Sequence, residues 1–436
     1  MKITKKDLDK GQVELNVVLE VAEFTPYLEK GAKKISETVK IEGFRPGKAP
    51  LEIVKQQVGE MTVLEEAANI AIRKTIDQVM EENLKDQETV GQPQIEITKL
   101  APGNDLEYKV TVALMPEVTL GKYKGLEIKK PEIKIPTTDI DKSVAELQEL
   151  RATEILSEKE SKVGDRLMVD VEMFLGKVPL EGGQTQDLAV IIGKNHFVPG
   201  FDEKLLGVKS GETVEFDLDF PKEHHQKNIA GKKVTFKVKV KSVYERQLPE
   251  INDDLATGFN FKDLNDLRKA LEENMVADKE RQQANRLEVE MIDKIIDDSK
   301  FGEIPEVMIN NETHYMIHEI EDDLKRQGGT LTDYLAHLGK NQQEFTLELV
   351  PSALKRVKAS LVIKQIAKTE KVEIKEEEIS DKIAELKAQH PDNEDLKNMA
   401  TDPSYRRYVK SVMENAEVLK RLKEWNYAST GDQQKS

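Results

Sequence analysis

Gly43-Phe44-Arg45-Pro46-Gly47-Lys48-Ala49-Pro50 is the stretch around which the rest of the chain is organised. Two glycines four residues apart bracket a short loop, and glycine accepts the backbone angles at which a chain reverses tightly. Pro46 stiffens the middle, and Pro50 suits the first turn of a following helix, where no backbone donor is needed. Helical spacing flanks the loop, through Tyr27, Leu28, Ala32, Ile35 and Val39 before it and Leu51, Val54 and Val58 after it. This predicts a helix–loop–helix tip that presents Phe44 in the open beside Arg45 and Lys48. From Phe24 to Gln57 there are seven Lys/Arg against four Asp/Glu, a local balance of +3 on a chain of formal net charge −16. A basic tip on an acidic protein points to docking on something anionic, with phosphate the obvious candidate. The competing reading is that Phe44 folds back as a staple between the helices, since isolated surface aromatics are common.

At 436 residues the chain is too long for one core, and about two to four domains are expected. Charged residues make up 34% and apolar residues 38%, which favours an extended body with much surface. There is no cysteine, so disulfides, thiolate metal sites and thiol catalysis are excluded. No apolar run approaches the roughly 20 residues needed to span a membrane. Met1-Lys2-Ile3-Thr4-Lys5-Lys6-Asp7 lacks the apolar core of a signal peptide, and a cytoplasmic protein is expected. His314 and His318 have helical metal-ligand spacing, but no cysteine or intervening Glu completes a site, and no metal or cofactor is expected. No phosphate loop, dinucleotide glycine pattern or nucleophile elbow occurs.

Along the chain, Val13, Leu15, Val17, Leu19 and Val21 alternate as in a half-buried strand. After the tip, a helix is predicted from about Met61 to Asn83, broken by Gly91 and Pro93. Ile95-Glu96-Ile97 and Leu106 to Leu114 read as two more strands, making a small α+β domain of three strands backing helices. Residues 116–150 look like a connector, with Pro131 and Pro136 before a helix starting at Asp139 and carrying Ile140, Val144, Leu147 and Leu150 on one face. From Val163 short strands follow: Arg166 to Phe174, Leu188 to Ile192, Glu212 to Phe220 and Lys232 to Tyr244, with a short helix ending at Gly207. Beyond Leu248 the pattern is helical, with Asp263 and Thr332 as predicted N-caps and Pro351 as a kink or fresh start. The small, polar tail from Ala428 to Ser436 is expected to be disordered.

Gly-Phe-Arg-x-Gly-x-x-Pro between two helices near the N-terminus resembles the ribosome-docking signature of the trigger factor family, bacterial chaperones at the peptide exit tunnel. Length and domain order fit the family across nearly the whole chain. The resemblance implies a multidomain α+β, elongated protein: a ribosome-binding domain at 1–115, a linker at 116–150 packing on the C-terminal domain, an FKBP-like domain at 151–247, and a helical client-binding domain with two arms at 248–436. It implies that the ribosome-binding tip runs from Gly43 to Lys48, that Phe44, Arg45 and Lys48 bind exit-tunnel protein and rRNA, and that Gly43, Gly47 and Pro50 shape the loop. Pro46 stands where the family often has a basic residue, exchanging charge for stiffness. An ATP-independent holder of nascent and unfolded polypeptides follows, acting in folding and export, with room for a homodimer when free. Two alternatives stay open: a free-standing prolyl isomerase, and an off-ribosome assembly chaperone for folded subunits.

Val198-Pro199-Gly200-Phe201, with Phe220-Pro221 and Phe236 downstream, resembles an FKBP-type peptidyl-prolyl isomerase, a strongly bent sheet around one helix. Its chemistry needs no acid, base or metal, because the barrier is the partial double bond of the amide, about 18–20 kcal/mol. A dry apolar pocket favours the less polar twisted amide. The resemblance places Val198, Phe201 and Phe236 in that pocket. Val171, Leu180 and Leu188 align where aromatics are usual, and His224 stands near a usual Tyr, so most of the aromatic wall is expected to be lost and activity to be weak. By pattern alone, Phe201 and Phe236 are ordinary core residues of a small barrel.

Overall fold

The computed structural model describes residues 1–436 except 86, 177, 195–196, 221–228, 390–398, 401 and 428–436. The expectations placed on His224, on Pro221 and on the tail Ala428 to Ser436 lie outside the described residues. The chain is multidomain α+β and divides into two compact units, Met1–Lys130 with Leu287–Ser436, and Pro131–Arg286. Among the described residues no helix is long and apolar enough to cross a membrane.

The first unit opens with β1 (Lys2–Leu8), β2 (Gln12–Leu19), α1 (Val21–Thr38), α2 (Leu51–Val58), α3 (Glu60–Asn83), β3 (Thr89–Lys99) and β4 (Leu106–Leu114). The strands form one antiparallel sheet in the order β1-β2-β4-β3. This corrects the expected three strands to four. The unexpected strand, β1, lies at the sheet edge and is mostly exposed, so its sequence carries no apolar alternation. On β2 and β4 the alternation is regular, and Val13, Leu15, Val17, Leu106, Tyr108 and Val110 turn toward Phe24, Leu64, Ala67 and Ala71 of the helices. Tyr108 keeps its hydroxyl satisfied inside this core, 2.7 Å from Thr75 Oγ1. Gly91 and Pro93, read as helix breakers, instead lie within β3. The register shifts there between Val90 and Gln94, and a bulge tolerates a residue without an amide donor.

The apolar faces of α1 and α3 meet at Gly31. A Cβ at that position would stand 2.9 Å from Ala67 N and 3.1 Å from Val63 O, so the two backbones leave no room for a side chain.

The rest of the first unit holds β5 (Val118–Thr119) paired with β11 (Lys300–Phe301), and the helices α7 (Glu306–Arg326), α8 (Leu331–Leu338), α9 (Gln342–Thr369), α10 (Glu376–Gln389) and Pro403–Asn426. Ile128 packs with Met291, Ile295, Val362, Ile366, Val418 and Leu422 in a second core. Arg356 ties α9 to α7 through Glu319 at 2.7 Å and Glu312 at 3.5 Å. The N-cap of α8 is Thr330, whose Oγ1 accepts from Asp333 N at 3.2 Å, not the predicted Thr332. Pro351 starts no new helix and lies inside α9. The carbonyl it leaves without a donor belongs to Leu347, four residues earlier and 70% exposed, where water can take the bond.

Lys124 and Tyr123 both donate to Glu370, each at 2.7 Å, and the Lys124 ammonium sits 4.2 Å from the Trp425 ring centroid. The lysine hydrogen bond, then the tyrosine one, holds the Glu370 carboxyl below its usual range.

The second unit contains α4 (Thr137–Leu150), β6 (Thr153–Ser157), β7 (Arg166–Leu175), β8 (Val178–Ile191), β9 (Thr213–Asp219), β10 (Lys233–Gln247), α5 (Asp253–Thr257) and the start of α6 (Leu264–Asp298). α4 begins two residues before the predicted Asp139. It buries Ile140 and Val144, while Leu150 at its last position is 76% exposed. The sheet runs β6-β10-β7-β8, with β9 also on β10. β10 pairs with β9 through residues 233–239 and with β6 through 243–247, and its register on β7 shifts between Val240 and Ser242. That irregularity bends one long strand so that it serves two partners in turn. β6 was not expected, and β8 starts ten residues before the predicted Leu188. The short helix before Gly207 is one 3₁₀ turn, Asp202–Leu205. The loop leading into it is pinned by Asp202 Oδ2, which accepts from Gly193 N at 3.1 Å.

Two outcomes are expected. Gly31→Ala forces α1 from α3 and destabilises the sheet-and-helix domain by about 1–3 kcal/mol, read as a lower urea midpoint followed by amide exchange in α1 and α3. Because the Glu370 carboxyl is depressed in the folded chain, its stabilisation is complete above the ordinary carboxylate range and is lost as pH falls through that range. Glu370→Gln therefore lowers the melting midpoint at neutral pH and flattens its decline on acidification.

Candidate functional site

The tip is built from the end of α1 outward. α1 is capped at Val39, whose N–H reaches Ile35 O, and α2 starts after Pro50. Between them Phe44 N donates to Ile41 O at 3.2 Å, Lys48 N to Arg45 O at 3.0 Å, and Gly47 N to Ser36 O at 3.0 Å. The last bond fastens the loop to the final turn of α1. Gly43 and Gly47 have φ of +83° and +72°, the left-handed region in which other residues are strained. Ile41 turns inward, and Ala32, Ile35, Val54 and Val63 make a small core beneath the loop.

Phe44 faces the other way and is 41% exposed. It belongs to no core cluster among the described residues, so the staple reading does not hold. Arg45, Pro46 and Lys48 are exposed as well. Among the described residues neither cation has a carboxylate within ion-pair distance. An aromatic face and two uncompensated positive charges are thus held outward by a loop whose backbone is tied down.

The second site lies in the bent sheet. Val171 on β7, Val198 and Phe201 in the loop and turn, and Phe236 on β10 are buried in one cluster, with Leu180 and Leu188 of β8 packed at its margin. The structure thus brings together every described residue predicted for this pocket. Sequence reasoning missed Phe197 and Phe216 as ring partners, and used Phe220 only as a spacing mark. Phe201 lies 4.8 Å from Phe197, 5.5 Å from Phe216 and 5.4 Å from Phe236 between ring centroids. Phe236 stacks on Phe216 at 5.7 Å and on Phe220 at 6.0 Å. Beside the aliphatic Val171, Leu180 and Leu188, five phenylalanines cluster here. The alternation Val214-Phe216-Leu218 on β9 was the signal available for one of them. Phe201 and Phe236 are 0% exposed, whereas Phe197 is 37% exposed, so the cluster forms a floor with one open ring.

Among the described residues no group of three or more His, Asp or Glu side chains is placed to hold a metal. His314 and His318 are both exposed on α7, and His318 Nδ1 lies 3.3 Å from Glu321.

Comparison with known proteins gives concordant results. Residues 1–147 match the family profile described as bacterial trigger factor protein, residues 263–424 that of the bacterial trigger factor C-terminus, and residues 157–241 that of FKBP-type peptidyl-prolyl cis-trans isomerase. A trigger factor of Caldicellulosiruptor bescii is 34% identical over 389 residues, covering 88% of this chain and 87% of its own. One from Carboxydothermus hydrogenoformans is 34% identical over 432 residues, covering 96% and 100%. A solved trigger factor chaperone covers 97% of this chain and 99% of its own at 22% identity, with a TM-score of 0.46, too low to bear on how the parts are arranged. The matches span both ends of the chain and the sheet domain between them, and the chain belongs to the trigger factor family of chaperones, with an FKBP-type isomerase domain.

Proposed function

We propose that this chaperone docks on the ribosome beside the polypeptide exit through the 43–48 tip, and there holds emerging, unfolded chains without using nucleotide. The observation that carries the reading is Phe44, open to solvent and flanked by Arg45 and Lys48, neither of them with a carboxylate within ion-pair distance among the described residues. A ring and two cations on a fixed loop suit a surface of protein and RNA, the ring supplying buried area and the cations meeting phosphate. The acidic remainder of the chain confines such contact to the basic stretch from Phe24 to Gln57 that holds the tip. Tyr315 on α7 and Leu347 on α9 stand exposed, and shallow apolar side chains of this kind hold an unfolded segment weakly enough to release it. In this reading residues 1–115 dock, 116–150 link, 151–247 form the isomerase domain, 248–436 hold clients, and the workplace is the cytoplasm.

The isomerase domain works by enclosing an X-Pro bond in an apolar recess. Val171, Leu180 and Leu188 line it with aliphatic groups, and Phe201 and Phe236 have no free ring face to offer a proline. Phe197 supplies the open aromatic edge. Turnover is therefore weak, and the domain contributes to folding mainly by retaining proline-bearing segments.

Phe44→Ala with Arg45→Ala is expected to weaken co-sedimentation with ribosomes by roughly thirtyfold or more, as for loss of about 2 kcal/mol at an interface hot spot. Unchanged sedimentation refutes the docking role. In a protease-free assay on a proline tetrapeptide, turnover well below that of aromatic-lined FKBP domains is expected, and equal turnover contradicts the pocket argument.

A further inference from the structure

Exposed cations continue past the tip, along α1, within a domain that is acidic as a whole. Lys30, Lys33 and Glu37 recur at helical spacing on one face of that helix. Glu37 fixes where this face leads, because its Cγ lies 3.0 Å from the position a Cβ would take on Gly47, within the tip loop. Lys33 and Lys30 therefore stand about 6 and 10 Å farther along the helix axis from that junction. Both are exposed, as are Lys40, Arg45 and Lys48, and none of the five has a carboxylate partner among the described residues. The Lys30 ammonium lies 4.7 Å from the Tyr27 ring centroid, a contact that leaves its charge unneutralised. Their neighbours Lys34 and Lys55 differ: Lys34 is paired with Glu66, and Lys55 with Glu52 and Glu60. The exposed carboxylates Glu29, Glu37 and Glu42 are the opposing charges of the stretch.

We infer that the Lys30–Lys33 face of α1 is a second contact surface for RNA, continuous with the tip and following a phosphodiester backbone away from it. The inference rests on the docking reading of the tip and adds a surface and a ligand chemistry to it. A duplex carries one negative charge per ~1.7 Å of axis, so an unbroken line of charge is met by a line of cations without exact register. Four of the five cations are lysines, which meet phosphate as compact point charges rather than through a fixed fork, so such a line needs no single orientation of the anion. Phe44 beside them offers a face on which an unpaired base can stack. Glu37 stands in the path and opposes the anion.

The test measures binding of the full-length protein to purified ribosomes, and to protein-free ribosomal RNA, over a series of salt concentrations. Lys30→Gln with Lys33→Gln keeps helix propensity, and circular dichroism checks the fold. Binding to both probes is expected to weaken, with the slope of log K against log salt becoming shallower by about 1.4–1.8 for two lost phosphate contacts. Glu37→Gln is expected to act in the opposite sense, tightening binding by about twofold or more at low salt. A wild-type slope for the lysine variant overturns the second surface, while docking survives if the Phe44/Arg45 variant still detaches. Weakening on ribosomes with no change on bare RNA overturns RNA as the ligand and assigns the surface to protein. Should the Phe44/Arg45 variant stay bound, the docking reading itself fails, and the inference with it.

Discussion

The hydrogen bond from Gly47 N to Ser36 O is the constraint on which the exposed tip depends. It closes the loop back onto the helix that precedes it, and with Ile41 buried beneath, Phe44 has only the outward side available. An exposed phenylalanine forgoes a burial gain of about 1.5–3 kcal/mol, so nothing in the stability of the domain calls for it. The left-handed angles at Gly43 and Gly47 have the same character: they shape a surface and add nothing to the core. Stability comes from below, where α1 and α3 approach so closely at Gly31 that the backbones touch. A rigid base with a presented ring is the arrangement that limits the entropy lost on binding.

The sheet domain divides its aromatic residues the other way. Four phenylalanines are spent on filling a small bent sheet, with the Phe236 ring near-parallel to those of Phe216 and Phe220 and fully buried. Such packing stabilises a domain of this size, but a ring enclosed on both faces cannot grip a substrate. Stability and ligand contact compete for the same side chains, and Phe197 is the one left open.

Much of this was legible in residue order. The alternation on β2 and β4, the stripes on α3 and α9 and the glycine-bracketed loop are local patterns, and each fell where the pattern put it. β1 was not legible because an exposed edge strand needs no apolar face, so Lys2 to Leu8 carries no period. Thr332 reads as a cap from its place before an apolar stripe, but the reach of Thr330 Oγ1 to Asp333 N sets the helix start two residues earlier. Pro351 reads as a kink or a fresh start, and only the continuous helix from Gln342 to Thr369 excludes the second. Gly91 and Pro93 punctuate a helix or a bulged strand equally well, and pairing with β4 decides between them.

The chain order by itself determined the succession of α+β, strand-rich and helical regions, the location of the basic tip and the apolar residues of the isomerase recess. It did so because helix and strand periods, turn chemistry and charge are properties of neighbours. How far each ring is covered was decided by tertiary structure. Phe44 in its glycine-bracketed loop and Phe236 in an alternating strand carry local signals, but Phe197 and Phe201 stand four residues apart in one loop and turn and are 37% and 0% exposed. That difference depends on surfaces brought up from distant parts of the chain, with the Phe216 and Phe236 rings of β9 and β10 set against Phe201.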